Sequence, residues 1–181
     1  MPTVILFDVS LSMCKHVKLL DSSEEHTIKS IAVYGLNCLI DYISNNSRLE
    51  LVSLMLFSSL WERHIGFTRD FDCLKLALNG LGTLYDKTNI PNALKGAQEL
   101  ILEEWGGNVS CNILLITDGC PGVASYMDDE AFEKSFPRFN FPGKLHVINL
   151  CAEEEPFHSR SISFCKKIIE LTSSQEPDYG E

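Results

Sequence analysis

Apolar residues run almost unbroken through positions 3–9, 49–57, 111–117 and 145–150, and short runs of this kind predict strands of a parallel sheet buried on both faces. Between them the period changes to that of a helix. Ile28, Ile31, Ala32, Gly35, Leu36, Leu39, Ile40 and Ile43 form one wide face, which predicts a helix starting near Ser23 or Glu24, with Glu24 and Glu25 in its first turn, and ending around Asn45 and Asn46. Asp70 is placed to cap a second helix carrying Phe71, Leu74, Leu78 and Leu81, and Pro91 opens a third that runs to Trp105, where Gly106 and Gly107 stop it. A short helix over 128–136 and a last one over about 161–171 follow. The mixed segment 60–68 reads as an edge strand hairpinned to 49–57, and 14–23 as a loop. The order β-α-β-β-α-α-β-α-β-α predicts an α/β, Rossmann-like open sheet, mostly parallel, with helices on both faces and one antiparallel edge. Residues 1–171 read as one domain and 172–181 as a polar tail.

Two of the strands end abruptly in a carboxylate, Asp8 and Asp118. Open α/β sheets bind ligands at the carboxyl ends of their strands, near the point where strand order reverses. Ser10 and Ser12 follow Asp8 at alternate positions, and the loop holding Thr88 precedes the third helix on the same side. Asp8, Ser10, Ser12, Thr88 and Asp118 are therefore expected to form one cluster. Its donors are all oxygens, which suits a hard divalent cation, Mg²⁺ or another such as Mn²⁺.

Composition narrows the function classes. With 45% hydrophobic and 22% charged residues in 181, the chain has enough apolar surface for one substantial core. A net charge of -10 argues against a generic nucleic-acid surface. The seven cysteines, at 14, 38, 73, 111, 120, 151 and 165, show no C-x-x-C pair, so they read as free thiols, with Cys38, Cys111 and Cys151 as small core residues. The sequence shows no signal peptide and no apolar run of transmembrane length, so a cytoplasmic or nuclear protein is expected. Of the aromatics, Phe132, Phe136, Phe139 and Phe141 lie in a proline-flanked segment that reads either as a partner surface or as local core, and Trp61 and Trp105 sit at element ends. His16 is the one histidine near the proposed cluster.

Asp8-Val9-Ser10-Leu11-Ser12 resembles the D-x-S-x-S motif of the von Willebrand factor type A family, with Thr88 and Thr117-Asp118-Gly119 where that family carries its other two metal-site elements. The resemblance implies that the serines and the threonine ligate Mg²⁺ through hydroxyl oxygens, that the aspartates contribute directly or through water, and that a partner's carboxylate completes the octahedron. Further stretches, Phe57-Ser58-Ser59-Leu60-Trp61-Glu62, Phe67-Thr68-Arg69-Asp70, Tyr85-Asp86-Lys87-Thr88 and Glu104-Trp105-Gly106-Gly107, are similar to the N-terminal domain of the Integrator subunit 14 family. That likeness implies a nuclear, non-enzymatic scaffold in the complex that processes small nuclear RNA 3′ ends and attenuates transcription. It also implies pairing with Integrator subunit 13 and other Integrator subunits, nucleic acid being met only by the assembled complex, and no membrane. A complete domain of the family adds a sixth core strand and a last helix that 172–181 does not supply, which leaves 145–150 as an uncovered edge.

Two other classes fit less well. A stand-alone adhesion domain capturing an acidic ligand would use the same cluster, but the unpaired cysteines count against an extracellular setting. Hydrolases with an Asp ending their first strand need a second Asp two residues on, where this chain has Ser10, and no phosphate-cradling glycine loop follows strand one.

Overall fold

The computed structural model describes residues 1–18, 25–82, 87–119, 130–153 and 155–172, without the side chains of 131 and 132. Strands β1 (Thr3–Asp8), β4 (Val52–Phe57), β5 (Trp61–Thr68), β6 (Cys111–Thr117) and β7 (Gly143–Asn149) form one sheet in the order β5-β4-β1-β6-β7. Every pairing is parallel except β4 with β5, which is the expected antiparallel edge. The chain moves outward from β1 to β4 and β5, then crosses back to β6 and β7, so strand order reverses at β1 and β6. A second, two-stranded ladder pairs β2 (His16–Val17) with β3 (His26–Thr27).

Side-chain alternation along the strands divides the core in two. Val4, Leu6, Met55, Phe57, Ile113 and Leu115 pack beneath helices α3 (Ile90–Trp105) and α5 (His158–Thr172). Ile5, Phe7, Leu54, Leu56 and Ile116 face α1 (Ile28–Asn46) and α2 (Phe71–Asn79) on the other side. The central strands β1, β4 and β6 are covered on both faces, which is why they read as unbroken apolar runs, whereas the edge strands β5 and β7 carry exposed positions such as Ile148.

Several expectations need correction. Helix α1 starts at Ile28, not near Ser23 or Glu24: Thr27 accepts from the Ser30 amide and Ser30 accepts from the Thr27 amide, a reciprocal cap that fixes the first turn. Glu25 consequently lies before the helix, and residues 19–24, including Ser23 and Glu24, lie outside the described residues. The second strand begins at Val52, leaving Leu49 exposed. Cys38 is exposed on α1, whereas Cys111 is buried and Cys151 partly so. Phe136, Phe139 and Phe141 are core residues: Phe136 meets Phe164 edge-on at 6.5 Å and Phe139 stacks on Phe141 at 5.1 Å. Thr172, expected in the tail, is the buried last residue of α5, and its hydroxyl donates to the Ile168 carbonyl at 2.8 Å. The remaining tail, 173–181, lies outside the described residues, as does most of the expected 128–136 helix, of which α4 (Glu130–Glu133) is described.

Both tryptophans are partly buried against the α3 side. Trp105 meets Phe67 edge-on at 5.6 Å. Trp61 lies across Gly96, where an added Cβ would stand 2.3 Å from the indole ring. Gly96→Ala must push Trp61 off α3, and the expected result is a loss of roughly 1–3 kcal/mol. Urea unfolding followed by tryptophan fluorescence measures it; an unchanged midpoint and spectrum would refute the close contact.

Candidate functional site

Because β1 and β6 are adjacent and in register to Phe7 and Ile116, Asp8 and Thr117 emerge side by side at the carboxyl end of the sheet. The Thr117 hydroxyl donates to Asp8 Oδ2 at 2.7 Å, and the Ser10 amide donates to Asp8 Oδ1 at 2.9 Å. Both carboxylate oxygens are thus held by protein donors. Thr117 is held in turn by the Gly119 amide, 3.2 Å from its hydroxyl oxygen.

Beyond Asp8 the chain turns into a short 3-10 helix, Leu11–Cys14, anchored by the fully buried Met13. Ser10 precedes this helix without spending its side chain on a cap. Its hydroxyl instead lies 3.1 Å from Ser12 Oγ and accepts from Thr88 Oγ1 at 3.0 Å. Thr88 is brought there by the start of α3. The Asn89 amide donates to the Ser58 carbonyl at 2.8 Å, while the Asn89 side chain caps the helix by accepting from the Asn92 amide at 3.2 Å.

The five expected residues therefore meet at one end of the sheet. Ser10, Ser12 and Thr88 are joined by hydroxyl contacts, Asp8 by the Ser10 amide, and Asp118 follows Thr117 close enough for its charge to act on Asp8. His16 is not part of the cluster; it is exposed in β2, 3.8 Å from Glu25. Thr117 stands in the quoted motif but is not among the five expected site residues; the structure gives it the role of holding Asp8. Gly119 is another such residue. Its φ of +59° suits glycine, and a Cβ there would fall 2.0 Å from Ser161 Oγ.

The electrostatics are those of a buried anion. Asp8 is fully buried, and burial pushes its carboxyl up from 3.8 to about 6, with the Asp118 charge adding to the rise and the bonds from Ser10 and Thr117 opposing it. Among the described residues no group of three or more His, Cys, Asp or Glu side chains is placed to hold a metal ion. A cation here would rest on two carboxylates and three hydroxyls. On its chemistry that donor set suits a hard divalent ion, which would supply a counter-charge to Asp8.

The family model for the von Willebrand factor type A domain matches residues 3–121. Integrator complex subunit 14 of Homo sapiens is 36% identical over 184 aligned positions, 97% of this chain and 35% of that one. The Drosophila melanogaster protein of the same name is 31% identical over 155 positions, 83% of this chain and 26% of that one. The chain thus spans about a third, or less, of the length of these relatives. Among solved structures, the PilB minor pilin from Streptococcus sanguinis superposes with a TM-score of 0.72 at 14% identity, over 96% of this chain and 55% of the pilin. The SpRpn10 VWA domain superposes with a TM-score of 0.59 at 14% identity, over 96% and 82%. Such distant likenesses speak for the fold alone. A sheet of order β5-β4-β1-β6-β7, the motif residues gathered at its carboxyl end and a family model spanning most of it lead to one conclusion: the chain belongs to the von Willebrand factor type A domain family.

Proposed function

We propose that this domain is a non-enzymatic protein-interaction module of the Integrator complex, acting in the nucleus in small nuclear RNA 3′-end processing and transcription attenuation. The likeness to Integrator complex subunit 14 over 97% of the chain is the observation that carries this reading. Its partners are Integrator subunit 13 and other subunits of the complex. Asp8, Ser10, Ser12, Thr88 and Asp118 hold Mg²⁺, or Mn²⁺, as an adhesion point. Two protein carboxylates against a divalent ion that also polarises neutral hydroxyls leave the site receptive to a further anion, and an acidic side chain of a partner supplies it. The cation's chemistry here is attachment: it binds the incoming carboxylate and transforms nothing.

Pull-down of nuclear partners tests both halves, using wild type and Asp8→Ala, each with and without a chelator. The metal-bridged partner should be lost with chelator and with Asp8→Ala, while a scaffold interface elsewhere on the domain persists. Equal recovery of every partner under all conditions would remove the metal from the account, and recovery of no Integrator subunit would remove the complex.

A further inference from the structure

Beside Thr88 a cavity of about 510 Å³ opens at the start of α3. Its lining includes Lys87, Lys95, Thr88 and Asn89, the cap of α3. Two lysines therefore face one cleft, and none of the described lining residues is acidic. The chain carries a net charge of -10, so this concentration of positive charge runs against its overall composition. Lys95 makes no ion pair with any described residue, although acidic side chains pair with lysines elsewhere, as Asp41 does with Lys75 at 2.7 Å. The first turn of α3 contains no acidic residue either, so the positive end of the helix adds to the field of the lysines. Positive charge gathered in a cleft next to a site that takes an anion is the pattern of a recognition surface.

We propose that this cleft reads a second acidic side chain of the same partner segment whose first carboxylate binds at the oxygen cluster. Thr88 belongs to both places: its hydroxyl contacts Ser10 and it lines the cleft. An extended acidic peptide crossing Thr88 meets the cluster on one side and Lys87 and Lys95 on the other. Two large apolar side chains nearby in sequence are exposed, Leu11 at the start of the 3-10 helix at 55% and Leu60 in the β4–β5 turn at 75%, and each is available to cover the peptide's non-acidic residues. Specificity then comes from the spacing of two acids, which a lone cation site does not measure. The inference rests on the proposed metal-dependent reading of the cluster.

The test uses fluorescein-labelled Gly/Ser peptides that carry one Asp, or that Asp plus a Glu at increasing distance, with fluorescence anisotropy in Mg²⁺. For wild type, one spacing should bind on the order of tenfold tighter than the single-acid peptide. Lys87→Gln/Lys95→Gln should bind both peptides alike, and Lys87→Arg/Lys95→Arg should restore most of the preference. Thermal melting confirms that the variants are folded. If chelator releases the peptides but neither the second acid nor the lysines matter, the cleft proposal falls and the metal reading stands. Dependence on the lysines without any effect of chelator overturns the metal reading and with it the two-point recognition proposed here. No binding of any peptide overturns both.

Discussion

Replacing Asp8 with Asn is expected to stabilise the metal-free protein at neutral pH, while abolishing its response to Mg²⁺. Asp8 carries a folded-state pKa of about 6 against 3.8 for an ordinary side chain, and burial is the largest cause. The folded state therefore holds more protons than the unfolded state between those values, and stability falls as pH rises through the window. The favourable contribution is complete below about 4 and gone above about 6, a swing of about 3 kcal/mol. Asn at this position remains neutral and can still accept from the Ser10 amide, while its own amide turns toward the Thr117 oxygen. Asp8→Asn should thus exceed wild type by up to about 3 kcal/mol at pH 7.5, with the gap closing toward pH 4. Saturating Mg²⁺ should raise the wild-type melting temperature and leave Asp8→Asn unmoved, since a ligand of the folded state alone stabilises by mass action. Chemical denaturation at several pH values, with chelator and with Mg²⁺, reads both effects. A variant that is less stable than wild type at pH 7.5 in chelator would contradict the buried-anion account, and one that responds normally to Mg²⁺ would take Asp8 out of the metal site.

The same carboxylate shows why the site is legible in the order of residues alone. A buried strand that stops at an aspartate is costly unless something beyond the strand uses the charge, and the chain does this twice, at Asp8 and Asp118. The α/β topology then puts both at one end of the sheet. The fold is readable for a related reason: strands covered on both faces and helices with one apolar face leave different periods, and β4, β5, β6, α2 and α3 begin and end within a few residues of where those periods place them. Periodicity is silent where hydrogen bonds decide. Thr27 and Ser30 cap α1 with a serine in the position that usually signals itself with Glu or Gln; the apolar face begins at Ile28, where the helix does, and it is Glu24 and Glu25, read as a first turn, that start it too early. The ladder of His16–Val17 with His26–Thr27 is two residues long on each side, too short to establish an alternation. Phe136, Phe139 and Phe141 follow no regular element, and only the proximity of α5 and β6 makes them core. Thr117 is legible as part of a motif but its role is not: holding Asp8 depends on facing it, which is a matter of register.

Register also makes Gly119 the most sensitive position beside the cluster, and Gly119→Ala should be the most damaging of these substitutions. Two separate costs meet there. A φ of +59° strains any residue with a Cβ, by roughly 1–2 kcal/mol. The new methyl would also stand 2.0 Å from Ser161 Oγ and 3.0 Å from Asn149 Oδ1. Ser161 is fully buried in α5, and its hydroxyl is held by the Asn149 side-chain amide at 2.8 Å, so turning it away from the methyl costs that hydrogen bond. Overpacking of this kind adds about 1–3 kcal/mol, for a total of roughly 2–5. The displacement also reaches the oxygen cluster. Moving the Gly119 amide withdraws the bond that steadies Thr117, and Thr117 in turn holds Asp8. On the proposed metal-dependent reading, any rise in melting temperature with Mg²⁺ should therefore shrink along with stability. A double-mutant cycle with Ser161→Ala separates the two costs, because deleting Oγ removes the closest clash and leaves the backbone strain. Gly119→Ala should cost less in the Ser161→Ala background, by about 1–3 kcal/mol. If the penalty is the same in both backgrounds, Ser161 does not press on this turn and the strain of the backbone alone explains why glycine follows Asp118.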